Sequence, residues 1–254
     1  MKRFSPVKVA SILGVVLAMS SSADLRAAEL SVIAGGSLAP LFKTLRPQFE
    51  KASGHKLSIH FDSTPSIIAN VGSGGRFDAV VAPIDVFKDA GVKARLAAGK
   101  TVEIARVGYG VIVRAGAPKP DISTPEALKQ TLLAAPSIAF VQASAAGAYI
   151  TSVFEKLGID KQMAAKTKQE SAPVKIAPAV ASGRAALGVF LMNVLVAPGV
   201  ELIGPFPGEL QQELVFSAGA NTDSKVLDAA KALIDYLQTP EAKAALKAAG
   251  MTPG

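Results

Sequence analysis

From Glu29 onward, short apolar runs alternate with stretches of helical periodicity almost to the end of the chain. That alternation restricts the fold to an α/β architecture, because strands joined through helices build sheets that the same helices must cover. Residues 29–35 predict a first strand. Leu38, Leu41, Phe42, Leu45 and Phe49 then recur on one helix face, with Ser37 at the cap and Gly54 at the end. Pro47 lies inside this helix and predicts a kink. Further strands are expected at 56–61, 77–82, 137–142 and 186–191, and the sheets should be largely parallel. Helices are expected from about Thr64, from Ser123 or Thr124, after the small-residue turn 143–147, up to Gly183, and over 224–238 and 240–249. Glu126 is spaced to complete a capping box with Ser123, and Pro178 is an awkward residue within the helix that ends at Gly183.

Two apolar stretches, 102–116 and 200–218, are long enough to cross between lobes. A chain that leaves one lobe, builds a second and returns places its ligand cleft between them. The expected division is 29–105 with 206–254 as the first lobe and 106–205 as the second.

The first residues follow another pattern. Lys2, Arg3 and Lys8 precede the apolar run 9–19, and small residues follow, with candidate cleavage points after Ala23, Ala27 and Ala28. This predicts a signal peptide over 1–28, cleaved on export to the periplasm. The run is shorter than the roughly 20 apolar residues of a membrane span. Cysteine is absent, which excludes disulfides, thiolate ligands and a lipid-anchored N-terminus. Residues 1–28 hold four of the 27 basic and one of the 20 acidic side chains, so the remainder carries a net charge of only +4. Basic residues are scattered, Trp is absent and Tyr numbers three, which argues against a nucleic-acid partner. No His or Cys beyond His55 and His60 is available to complete a zinc site, and no calcium loop is present, so neither a metal nor a cofactor is expected. The G-x-S-x-G elbow of a serine hydrolase is also missing.

Three strand-to-helix turns share one chemistry: Gly35-Gly36-Ser37, Ser63-Thr64-Pro65-Ser66, and Ala143-Ser144-Ala145-Ala146-Gly147. Each sets small or hydroxyl residues at a helix N-terminus, where unpaired N–H groups and the helix dipole favour an anion. The glycines are not followed by the Lys-Ser/Thr of a nucleotide-binding P-loop.

With these turns the chain resembles the periplasmic molybdate-binding proteins of ABC importers and the wider group of type II solute-binding proteins. The resemblance is carried by VIAGGSLAPLFKTLRPQFEKASGHKL, GGRFDAVVAP, GRAALGVF and the terminal GMTP. It implies a two-lobed periplasmic-binding-protein fold, a small-anion ligand, a membrane permease as partner and a monomer. AGGSL is similar to the family's A-A-[AS]-S-L turn, which puts Ser37 at the oxyanion-binding serine beside Gly36. The resemblance further places Thr64 at the second hydroxyl ligand beside Ser63. It puts Ala146, next to Gly147, and Val174 at backbone N–H donors. Leu191 falls where molybdate binders carry a tyrosine, a departure that removes one donor. GHKL, GAPKPDIS and LIGPFPGELQ resemble an aconitate-isomerase branch of the same superfamily, which implies a small tricarboxylate as the alternative ligand.

Among charged residues, Asp62 beside the second turn is a candidate proton acceptor, and Arg76 and Arg106 are candidate partners for a carboxylate ligand. His60 should face solvent or the cleft edge.

Overall fold

The structure is a computed structural model that describes residues 27–97 and 101–254. Of the expected leader, all but Ala27 and Ala28 lies outside the described residues.

Strand β1 (Glu29–Gly35) runs parallel to β2 (Lys56–Asp62) on one side and to β3 (Ala79–Pro83) on the other. Helix α1 (Ala39–Ser53) links β1 to β2 and buries Leu41, Phe42, Leu45 and Phe49, the face read from their spacing. Gly54 ends it at φ 74°, where a side chain would meet its own backbone. The helix runs through Pro47. A proline inside a helix costs about 3 kcal/mol, whereas each of the four buried side chains contributes about 1.5–3 kcal/mol, so burial prevails. Helices α2 (Thr64–Gly72) and α3 (Ala90–Ala94) cover the other face, closing a second, smaller apolar cluster around Ile67, Val80 and Phe87.

Strand β4 (Val102–Arg114) belongs to two sheets. Its first part, to Gly108, pairs antiparallel with β9 (Glu213–Ala220), which continues to β3. From Tyr109 onward it pairs with β7 (Leu187–Leu191) and β8 (Val200–Pro205). Beyond β7 lie β5 (Ile138–Phe140) and β6 (Thr167–Gln169), both parallel. The full order is β2-β1-β3-β9-β4-β7-β5-β6. Each wing is therefore parallel, as alternation with helices requires. The strands that carry the chain between wings run opposite to their neighbours, so the sheets are mixed rather than largely parallel.

Helix α4 (Pro125–Ala134) starts differently from the sequence expectation. Thr124 is the cap, its hydroxyl accepting from the Ala127 N–H at 3.1 Å. That register puts Ala127 at the third helical position, so no capping box forms, and Glu126 instead accepts from Gln130 at 2.6 Å. Helix α5 (Ala145–Lys156) begins at the small-residue turn, followed by α6 (Asp160–Lys166). In α7 (Ile176–Ala181), Pro178 sits in the first turn, where the missing N–H has no helical acceptor to lose. The short α8 (Met192–Leu195) follows β7 directly. Helices α9 (Leu227–Tyr236) and α10 (Pro240–Ala248) return over the first sheet, and β10 (Thr252–Pro253) pairs with β4. Among the described residues, no helix is long and apolar enough to cross a membrane.

One polar junction fixes α1 on β2. The Glu50 carboxylate accepts from the Leu57 N–H at 3.0 Å, from Arg46 at 3.0 Å and from Lys56 at 3.2 Å. The backbone donor first, then the two cations, lower its pKa from 4.5 to about 2. A depressed carboxylate stabilises the fold above its unfolded pKa and loses that contribution as pH falls through its folded one. Thermal midpoints should accordingly drop between pH 4.5 and about 2, and Glu50→Gln should flatten that part of the profile. An unchanged slope in the variant would place the acid sensitivity elsewhere.

Candidate functional site

The three turns converge. A cavity of about 530 Å³ lies between the two sheets, where β1, β2 and β3 of one wing end opposite β5, β6 and β7 of the other. Gly36, Ser37, Ser63, Thr64, Ala146 and Val174 line it. Gly147 and Leu191 are not brought to its surface. The Gly147 N–H is held by the capping hydroxyl of Ser144 at 2.9 Å, and Leu191 is fully buried in the core.

The hydroxyls are not equivalent. Ser63 caps α2, accepting from the Ser66 N–H at 3.3 Å and sharing a 2.9 Å contact with the Ser66 hydroxyl. Ser144 caps α5 and donates to the Val141 carbonyl at 2.8 Å, so both its roles are used locally. Thr64 Oγ1 accepts from the Ala145 N–H at 3.2 Å across the cleft. That bond leaves the Thr64 proton to donate elsewhere. Ser171, at the end of β6, accepts from Lys175 Nζ at 2.8 Å and is likewise left with a proton. Ser37 is 6 % exposed and sits in a single 3-10 turn, Gly36–Leu38, with its carbonyl accepting from Asn193 Nδ2 at 2.8 Å.

Among the described residues no Lys, Arg or His lines the cavity, and its two ionisable residues are Asp62 and Glu170. Asp62 is drawn into its own turn, one oxygen accepting from the Ser63 N–H at 2.7 Å and the other 3.4 Å from His60. Glu170 is buried beside Arg184, which reaches it at 2.8 Å. Arg106 pairs with Glu103 at 2.6 Å, and neither it nor Arg76 reaches the cavity. His60 is exposed, as its place in β2 implies. Among the described residues no group of three potential metal ligands forms. The donors at the cavity are therefore neutral O–H and N–H groups, with the N-termini of α2 and α5 at its wall.

The Thr64–Ala145 bond also divides the cleft. On its far side lies a chamber of about 760 Å³ that shares Thr64, Ser144, Ala145 and Leu214 with the first. Tyr109 and Tyr149 line it, their rings 4.6 Å apart. Tyr109 stands opposite Leu191 in the β4–β7 register, and burial pushes its phenol well above the usual tyrosine range. Its ring lines this second chamber, so the phenol paired with Leu191 across the sheet is not presented to the first.

Ser66, Ser144, Glu170, Ser171 and Phe190 complete a wall whose residues the sequence patterns did not single out as ligands. Ser144 and Ser66 stood in turns already marked. Ser171 and Glu170 follow β6, a three-residue strand of Thr, Lys and Gln that carries no apolar alternation to reveal it.

Two α/β wings joined by crossing strands, with a cleft walled by helix N-termini, define a type II periplasmic-binding-protein fold. The solved periplasmic molybdate-binding protein of Azotobacter vinelandii superposes with a TM-score of 0.73 at 20% identity, covering 88% of this chain and 98% of that one. A family model described as bacterial extracellular solute-binding protein matches residues 30–252, and the chain belongs to that family. Among curated relatives it is 32% identical to an aconitate isomerase of Pseudomonas sp over 241 residues, covering 88% of this chain and 87% of the relative. It is 28% identical to the molybdate-binding protein ModA of Azotobacter vinelandii over 231 residues, covering 89% and 90%.

Proposed function

We propose that the protein is exported to the periplasm, closes on a small oxyanion of the molybdate or tungstate class, and presents it to the permease of an ABC importer. The observation that carries this reading is the cavity wall: hydroxyls and helix N-termini supplied by both wings and, among the described residues, no cationic side chain. A doubly charged oxyanion offers acceptors in every direction and no donor, so a wall of neutral donors matches it and discriminates against cations and neutral solutes. Ser37 and Thr64 supply hydroxyl donors, Ala146 and Val174 supply N–H donors, and Gly36 and Ser63 shape the two turns. Gly147 and Leu191 serve by packing, Gly147 allowing α5 to start close to β5 and Leu191 filling the core behind the wall. Closure takes place where the chain crosses between sheets, with 29–105 and 206–254 moving against 106–205. The closed protein works as a monomer.

A second reading, a small tricarboxylate as ligand or isomerase substrate, is favoured by the 32% identical relative and by a cavity of 530 Å³, roomy for a tetrahedral anion. In that case Asp62 is the base that takes a proton from the methylene carbon; the C=C bond shifts by one position toward that carbon, and the proton is returned to the former vinyl carbon. Titration calorimetry with molybdate, alongside NMR monitoring of cis- and trans-aconitate, separates the two. Stoichiometric binding of molybdate without interconversion supports the first. Interconversion abolished by Asp62→Asn overturns it in favour of the second.

A further inference from the structure

We infer that Asn193 is a latch across the cleft: it positions the Ser37 turn from the opposite wing and sets how long the cleft stays shut. Asn193 follows β7 in the short α8 and is 7 % exposed. Its Nδ2 donates to the carbonyl oxygen of Ser37 at 2.8 Å, joining residues 156 positions apart in the chain. A carbonyl can only accept, so the amide orientation is fixed and its Oδ1 points away from Ser37. Among the described residues, that oxygen is buried with no hydrogen-bond partner. An amide kept in this state by one bond is an uncommon use of a core position, because an unpaired buried acceptor opposes burial.

The consequence is a finely balanced contact. Breaking the Asn193–Ser37 bond as the wings part exposes Oδ1 to water, so opening recovers part of what it loses. Two further contacts join the wings near the same place. Gly36 lies so close to Pro173 that a Cβ there would stand 3.3 Å from its Cδ. The Thr64–Ala145 bond is the other. Of the three, only Asn193 also holds a candidate ligand residue by its backbone. Holding that carbonyl fixes the plane of the peptide after Ser37 and, with it, the direction from which the Ser37 hydroxyl faces the cavity.

This inference rests on the reading of Ser37 as a ligand donor, but its test does not require any ligand. The chain has no cysteine, so Lys51→Cys on α1 and Lys161→Cys on α6, both exposed, accept a fluorophore pair that reports the separation of the wings. Energy transfer is then compared for Asn193, Asn193→Leu and Asn193→Ala in ligand-free, full-length mature protein. Leucine nearly keeps the volume of the amide and alanine does not, but neither can donate to the Ser37 carbonyl. The expected result is a shift of both variants toward low transfer, with the open-to-closed ratio raised about fivefold, the usual effect of one net hydrogen bond. In a second arm, molybdate or citrate, whichever binds the parent protein, should dissociate about fivefold faster from the variants with little change in association rate. Unchanged transfer in a folded Asn193→Leu protein would overturn the latch. A lower melting temperature with unchanged transfer would overturn it too, reducing Asn193 to a packing residue. Failure of both anions to bind would count against the functional reading while leaving the ligand-free comparison intact.

Discussion

Replacing Thr64 by valine is expected to weaken anion binding about 100-fold. The hydroxyl has two tasks that valine, of nearly the same shape, cannot perform. It accepts the Ala145 N–H at 3.2 Å across the cleft through one lone pair, and its proton is left to donate into the cavity. Hydrogen bonds to charged groups contribute about 1.5–3 kcal/mol, and tenfold in affinity corresponds to about 1.4 kcal/mol. The loss of the donor, added to an Ala145 N–H left without its acceptor, reaches the upper part of that range. It also releases the bond that ties together the partition between the 530 Å³ and 760 Å³ chambers, so size selectivity should relax along with affinity. Titration calorimetry of Thr64→Val, with Thr44→Val on the exposed side of α1 as the control, measures the effect. An affinity within threefold of the parent would mean that the anion is held elsewhere.

A larger structural effect is expected at Gly147. A Cβ on this residue would lie within 3.0 Å of the carbonyl oxygens of Val141 and Gln142, which are backbone atoms and cannot swing away. The first turn of α5 folds back over the end of β5, as the Ser144 hydroxyl bonded both to Val141 O and Gly147 N makes plain. Gly147→Ala must displace this turn or the strand. Overpacking of this kind costs about 3 kcal/mol, which for a chain of this size lowers the melting midpoint by about 6–12 °C. Binding should fall as well, since the displaced turn carries Ala145 and Ala146. Calorimetric melting checks the prediction, and an unchanged midpoint would show that the turn is looser than its geometry.

The parts of this fold that were legible in the sequence are those with a strong local period. The buried face of α1, the strand 29–35 and the three hydroxyl-bearing turns were all marked by spacing or by small residues at fixed places. Apolar alternation reveals a strand because one face is buried. Strand β6 has no such face, being a polar edge, and so Glu170 and Ser171 stayed hidden. Asn193 was invisible for another reason. Its partner is a backbone carbonyl 156 residues away, and no side-chain pattern encodes a backbone acceptor. The Ser123–Glu126 box failed by one residue of register, since Ser123 and Thr124 are both competent caps and only the path of the preceding turn, where Asp121 receives the Ser123 N–H at 2.8 Å, decides between them. The separation of Leu191 from the cavity likewise depends on the direction a side chain takes at the end of β7, which counting along the chain does not determine.

The direct test of a small-anion site built from neutral donors is a thermal-shift panel on the mature protein with molybdate, tungstate, sulfate, citrate and the two aconitate isomers. A ligand present at 100 times its dissociation constant adds about 2.7 kcal/mol, which should raise the midpoint by about 5–10 °C. The predicted result is a shift of that size with molybdate and tungstate and none with the carboxylates. A shift with citrate or aconitate alone would contradict it, and would assign the cavity to a tricarboxylate.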